Sequence, residues 1–100
     1  MDHSLASAEV FEVLRRQGDM LRSRFSVERI GLFGSRLRGE AGPRSDLDFL
    51  VTFRQPTFDH YMDLKLHLED VFGVPVDVVM ESALRPRLRE HILREVRYAA

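Results

Sequence analysis

The chain has 100 residues, a net charge of −1 and no cysteine. This length suits one domain, and residues 1–100 are expected to form a single one. The near-neutral charge argues against a dedicated nucleic-acid binder, and the lack of cysteine excludes disulfides, thiolate metal sites and cysteine catalysis. The amino terminus has no signal-peptide pattern, and no apolar run approaches the roughly 18 residues of a membrane helix. A cytoplasmic location with no membrane contact is therefore expected.

The first predicted element is an amphipathic helix over residues 5–24. Its interior contains Gly18, which weakens a helix because glycine gains no side-chain contacts and loses much backbone entropy on folding. The apolar residues on its predicted core side are Val10, Leu14 and Leu21.

A strand over residues 28–33 comes next, and Gly34 ends it. A short helical turn is expected from Ser35 to about Arg38. Backbone N–H groups and a hydroxyl at a strand-to-helix junction favour phosphate oxygens. Taken alone, Gly34-Ser35 is more simply an ordinary helix cap, and the surrounding residues do not have the spacing of a Walker A loop.

Residues 45–53 are rich in β-branched and aromatic residues and predict a second strand. Side chains alternate between the two faces of a strand, so Asp46 and Asp48 point the same way. Two carboxylates on one face can bind divalent cations, which prefer hard oxygen ligands. For this pair alone, a solvent-exposed strand face carrying two acids is the simpler interpretation.

Three further elements follow. A helix is predicted over residues 59–72 with Gly73 as its C-cap, then a strand over 74–80, then a helix over 86–97 that begins with a proline. The strand carries Asp77, and an acid in an otherwise apolar strand needs a partner or a metal ion.

The expected topology brings these separate pieces together. The interval of eleven positions from Ser35 to Asp46 suits an antiparallel return better than a parallel crossover, whereas the helix before the third strand allows a parallel one. Asp77 would then lie level with Asp46 and Asp48, near Gly34-Ser35. The predicted fold is α/β (α+β), with a small mixed sheet of about three strands flanked by helices in the order αβαβαβα.

The motifs together resemble a known family. Gly34-Ser35, Arg38-Gly39-Glu40, Ser45 to Val51 and Val76 to Val79 are similar to the minimal nucleotidyltransferases of the DNA polymerase β-like superfamily. The resemblance covers essentially the whole chain and implies the polymerase β-like fold. Such domains commonly occur in prokaryotes as antitoxins paired with HEPN toxins, so the resemblance implies a HEPN-type partner protein.

The resemblance also implies a role for each site residue. Gly34 and Ser35 would hold the triphosphate of ATP. Independently of the resemblance, Arg36, Arg38 and Arg44 lie near this pair in sequence, and Arg38 is selected as a supplementary phosphate contact, although a solvated surface position is the simpler interpretation of each arginine. Asp46 and Asp48 would ligate two Mg²⁺ or Mn²⁺ ions. Asp77 would bind the catalytic ion and help to activate the acceptor hydroxyl.

Three functions remain open from the sequence. The first is a metal-dependent nucleotidyltransferase that transfers AMP from ATP to a hydroxyl of the partner and releases pyrophosphate. The second is an antitoxin that neutralises its toxin by occlusion, without turnover. The third is a nucleotide-binding sensor or assembly subunit. An exposed sheet edge also leaves a homo-oligomer open.

Overall fold

The computed structural model describes residues 6–34 and 46–99, which form four helices and a four-stranded sheet. The helices are α1 (Ser7–Arg16), α2 (Gly18–Phe25), α3 (Phe58–Phe72) and α4 (Pro86–Glu95). The strands are β1 (Val27–Phe33), β2 (Leu47–Phe53), β3 (Val76–Met80) and β4 (Arg97–Tyr98), with a 3₁₀ turn at Glu81–Ala83. Within these described ranges no helix is long and apolar enough to cross a membrane.

The sheet is mixed, and its strand order is β3-β2-β1-β4. β1 runs antiparallel to β2, while β2 and β3 are parallel and are joined through α3. The predicted α/β class and both predicted strand pairings are therefore confirmed. The start of β2 is also the level at which β1 ends and β3 starts.

One apolar core lies between the sheet and the helices α1, α2 and α3. The rings of Phe49 on β2 and Phe72 on α3 stack with their centroids 5.9 Å apart. Each fully buried aliphatic or aromatic side chain of this kind contributes about 1.5–3 kcal/mol. Val10, Leu14 and Leu21, which were predicted to face the core, are buried in it, and the sheet and α3 contribute the buried residues Leu47, Phe49, Val51, Phe53, Leu64, Leu68 and Phe72. Gly73 ends α3 in the left-handed conformation, as predicted.

The prediction of a single helix over residues 5–24 is wrong, because the helix is interrupted at Gln17. Gln17 has φ −91° and ψ 6°, and α2 begins at the next residue, the buried Gly18. Gln17 Oε1 accepts a hydrogen bond from His67 Nε2 on α3, 2.8 Å away. This long-range contact explains why hydrophobic periodicity alone does not reveal the break.

The sheet also has one strand more than the three predicted. The last predicted helix, over 86–97, ends at Glu95, and Arg97 and Tyr98 pair with β1 as β4. Gly31 of β1 makes this approach feasible, since a Cβ there would lie 2.6 Å from Val96 Cγ2 and 2.9 Å from the Arg97 carbonyl oxygen. A residue larger than glycine at position 31 would collide with both atoms, so the pairing of β4 with β1 depends on Gly31.

His67 is a partly buried imidazole at the contact between α2 and α3. Its ring lies 5.0 Å from the Phe25 ring, centroid to centroid. Burial lowers the pKa of His67, the nearby Arg24 guanidinium lowers it further, and Asp70 opposes the shift. As the pH falls, His67 is therefore protonated at a higher pH in the unfolded chain than in the folded chain.

Neutral His67 should therefore make its full contribution to the free energy of unfolding above about pH 6.5, the ordinary histidine pKa. That contribution should be lost as the pH falls below this value. His67→Gln is expected to reduce the loss of stability between pH 7.5 and 5.5, measured as the denaturant midpoint. His91→Gln, at an exposed position of α4, is the matched control. Equal pH dependence in the wild type and His67→Gln would refute this assignment.

Candidate functional site

Asp48 lies at the centre of the candidate site. It is the second residue of β2, and its Cα partners are Phe33 of β1 and Asp77 of β3. The carboxylates of Asp48 and Asp77 are therefore attached at the same level of adjacent parallel strands, which lie about 4.8 Å apart. The sheet itself fixes this proximity of two acids that are 29 residues apart in sequence.

Gly34 lies directly beside Asp48. It follows β1 with φ 87°, a backbone conformation that residues with a Cβ rarely adopt. A Cβ at this position would collide with Asp48 Oδ2 and would lie 3.1 Å from its Cγ. Gly34 is therefore required on two grounds, backbone conformation and space, and it leaves backbone in contact with the carboxylate. Ser35 and Arg38, the other predicted phosphate contacts, lie outside the described residues.

Asp46 departs from its predicted placement. The strand was expected to start at residue 45, yet β2 starts at Leu47, so Asp46 precedes the strand and is exposed. The Leu47 amide donates to the Pro75 carbonyl, 3.1 Å away, and this bond is the first link between β2 and β3. The third strand likewise starts at residue 76 rather than 74, because residues 74 and 75 lead into the pairing. Asp77 is thus level with Asp48, whereas Asp46 lies at the margin. The rim of the sheet formed by Gly34, Asp46, Asp48 and Asp77 is called the carboxylate rim below.

The donors of the carboxylate rim fit Mg²⁺ by their chemistry. All are carboxylate oxygens, the ligands that this ion prefers, and no thiolate exists in the chain. Within residues 6–34 and 46–99, no three acidic or histidine side chains converge into a ready-made metal cage. Mg²⁺ sites for phosphate chemistry typically use one or two protein carboxylates and take further ligands from the phosphates themselves. The donor set therefore fits an ion that arrives with a nucleotide.

Two residues that the sequence did not single out contact the start of β3. Lys65 Nζ donates to the Val76 carbonyl oxygen at 2.5 Å and to Glu69 Oε2 at 3.2 Å. The Val76 amide donates to the same Glu69 oxygen at 3.1 Å. The Val76 N–H and then Lys65 lower the pKa of Glu69. An i,i+4 Lys–Glu pair is visible in the sequence, but it reads there as an ordinary helix-surface ion pair.

A polar cavity of about 420 Å³ lies at the other end of the strands, beside the start of β1 and the end of β2. Arg22, Arg54 and His60 line it, and Asp19 and Glu28 line the adjoining cavity. Asp19 forms an ion pair with Arg22, so part of the positive charge at this cavity is already neutralised. This cavity is separate from the carboxylate rim and offers a triphosphate no pair of metal-binding carboxylates.

The chain is similar in sequence and in structure to known nucleotidyltransferases. Residues 14–99 match the family described as Nucleotidyltransferase domain. The chain is 41% identical over 95 residues to the protein adenylyltransferase MntA of Thermococcus cleftensis, covering 94% of this chain and 96% of that protein. It is also similar to a solved structure provisionally described as a minimal nucleotidyltransferase, with 43% identity, a TM-score of 0.76, and coverage of 97% and 95%.

A more distant likeness is to a chain from the complex of a tri-AMPylated HEPN toxin with MNT antitoxin of Shewanella oneidensis. The TM-score is 0.63 at 16% identity, and the match covers 90% of this chain and 71% of that one. At this level of identity the likeness concerns the fold alone.

Proposed function

Because the chain belongs to the nucleotidyltransferase domain family, we propose that it transfers AMP from ATP to a hydroxyl group of a partner protein. The observation that carries this proposal is the pairing of Asp48 with Asp77 across adjacent strands, beside the backbone of Gly34. Carboxylates and a backbone cradle at one rim are what a triphosphate and its counterions require. The name of the Thermococcus relative supports an adenylyl group and a protein acceptor.

In the proposed reaction, one residue accepts the proton and others bind the phosphates. Asp77, exposed at the start of β3, accepts the proton of the attacking hydroxyl. That oxygen forms a bond to the α-phosphorus of ATP, and the bond from the α-phosphorus to the bridging oxygen breaks to release pyrophosphate. Gly34 and Ser35 bind phosphate oxygens through backbone N–H groups and the serine hydroxyl, with Arg38 as a further contact.

Asp46, Asp48 and Asp77 would hold the divalent cations, two Mg²⁺ or Mn²⁺ ions. When bound, such ions lower the pKa of an attacking hydroxyl and neutralise charge on the phosphates. The protein's own contribution is to keep the carboxylates at fixed positions on the rim. Two strand backbones do this for Asp48 and Asp77, and the Leu47–Pro75 hydrogen bond does it for the segment that contains Asp46.

The proposed acceptor is a HEPN-type toxin, which this chain would neutralise as an antitoxin. The named relative is a protein adenylyltransferase, and the fold is shared with a chain from the Shewanella complex of an AMPylated HEPN toxin with MNT antitoxin. A tyrosine hydroxyl of such a toxin is the acceptor that the family resemblance favours.

The test uses the protein encoded beside this chain. That protein is incubated with this chain, Mg²⁺ and ATP, and its intact mass is measured together with its toxicity. Addition of one or more AMP groups, with loss of toxicity, is expected. Parallel incubations with GTP, CTP and UTP measure the base preference. Neutralisation with no added mass, undiminished when ATP is omitted, would instead establish an antitoxin that acts by occlusion.

A further inference from the structure

β3 is an edge strand of the described sheet, and its backbone has hydrogen-bonding groups on two sides. Its partner β2 lies on one side, and in the strand order β3-β2-β1-β4 no described strand lies on the other. Backbone groups alternate between the two sides of a strand. The Pro75 carbonyl accepts from Leu47 of β2, so the N–H and carbonyl of the next residue, Val76, point outward. Outward groups of an edge strand normally go to solvent or to another chain.

Both outward groups of Val76 are instead held by side chains from α3. Glu69 Oε2 accepts from the Val76 amide at 3.1 Å, and Lys65 Nζ donates to the Val76 carbonyl at 2.5 Å. The two side chains also pair with each other at 3.2 Å, and they are only 29% and 31% exposed. Lys65 and Glu69 thus reproduce at one residue the two hydrogen bonds that a neighbouring strand would supply.

We propose that Lys65 and Glu69 are positioning residues that fix the Asp77 carboxylate against Asp48. They hold the peptide groups on both sides of Val76, and the second of these leads directly into Asp77. The inference rests on the proposed function, because it assigns Asp77 a place in the reaction.

Asp77 needs such support more than Asp48 does. Asp48 lies on a strand with neighbours on both sides, pairing with Phe33 and Asp77. Asp77 lies on a strand with one described neighbour, and its own side chain is exposed, so core packing does not orient it. The position of its carboxylate therefore depends on the backbone, which Lys65 and Glu69 hold from the outer side. Glu69 forms an ion pair with Lys65. The negative charge of Glu69 strengthens the hydrogen bond that it accepts from the Val76 amide, since charge-assisted hydrogen bonds are stronger than neutral ones.

Two variants test this role. Lys65→Met keeps most of the aliphatic stem and removes the ammonium group, whereas Glu69→Gln keeps the shape and removes the charge. Hydrogen exchange at the Val76 and Asp77 amides should become about tenfold faster in each variant, as expected for weakening a hydrogen bond to a charged group. The Mg²⁺ concentration that gives half-maximal transfer should rise about tenfold, the usual size of effect for residues that orient metal ligands.

A metal-binding measurement without turnover accompanies the kinetics. Mn²⁺ affinity in the presence of a non-hydrolysable ATP analogue, followed by electron paramagnetic resonance, should weaken by a similar factor. The control is Asp19→Asn, which removes the ion pair with Arg22 on the surface of α2 and should change none of these values.

The outcomes separate this inference from the proposed function. If the folded variants show faster exchange at Val76 but an unchanged Mg²⁺ requirement and Mn²⁺ affinity, the pair only covers the sheet edge and the inference fails. The same conclusion follows if Asp19→Asn weakens metal binding equally. If the wild type transfers no AMP, the proposed function fails, and the Mn²⁺ affinities still decide whether the pair positions Asp77.

Discussion

Replacing Asp48 with asparagine is expected to lower the rate of AMP transfer by about 10³-fold or more. The side chain keeps its size, so the start of β2 should remain paired with β1 and β3. What is lost is one negative charge at the centre of the carboxylate rim, where Asp48 adjoins both Gly34 and Asp77. Stabilisation of several kcal/mol by a bound cation depends on that charge, and about 1.4 kcal/mol corresponds to a tenfold change in rate.

The measurement is the initial rate of AMP incorporation into the partner under saturating ATP and Mg²⁺. The double variant Asp46→Ala/Asp48→Ala should have no measurable activity. Asp63→Asn is the matched control, because it removes a carboxylate from an exposed position of α3, and it should retain wild-type activity. A rate for Asp48→Asn within a few-fold of the wild type, with the fold intact, would remove Asp48 from the site.

Gly34→Ala is expected to disable the site and to destabilise the fold. Two separate costs arise at this position. A left-handed backbone costs a residue with a Cβ about 1–2 kcal/mol, and φ is 87° here. The added Cβ would also collide with Asp48 Oδ2, so the carboxylate must rotate or β1 and β2 must shift. A displacement of about 1 Å at reacting groups can reduce a rate about 10²-fold.

The chain provides a control for the backbone cost. Gly73 ends α3 with φ 70°, and a Cβ there would have nothing within 4 Å. Gly73→Ala should therefore lose about 1–2 kcal/mol of unfolding free energy through backbone strain, with no loss of activity. Chemical denaturation measures the free energies, and the transfer assay measures the rates. Equal destabilisation by the two substitutions, with activity preserved in Gly34→Ala, would contradict the contact between Gly34 and Asp48.

The strand pairings of the site could be predicted from the sequence because they depend on short-range regularities. Alternation along β2, the short return from β1 and the length of α3 predict the antiparallel and parallel pairings. Those pairings bring Asp77 level with Asp48, as the structure has it. The proposed roles of these residues, in contrast, come from the family resemblance and stay predictions.

Features that depend on distant contacts could not be predicted in the same way. The interruption at Gln17 coincides with its bond to His67, 50 residues later. β4 has only two residues and forms where Gly31 leaves room for it. Neither feature has a local periodicity of its own. The hydrogen bonds of Lys65 and Glu69 to Val76 likewise become apparent only once α3 and β3 are brought together.

The most direct test of the account is the location of the metal–nucleotide site. Mn²⁺ is added with a non-hydrolysable ATP analogue to isotope-labelled protein, and paramagnetic broadening of backbone amide signals is measured. Signals of Gly34, Asp48 and Asp77 should broaden first, while Ser26 and Arg54, at the other end of the strands beside the polar cavity, stay sharp. Broadening at Ser26 and Arg54 with sharp signals along the carboxylate rim would contradict the account.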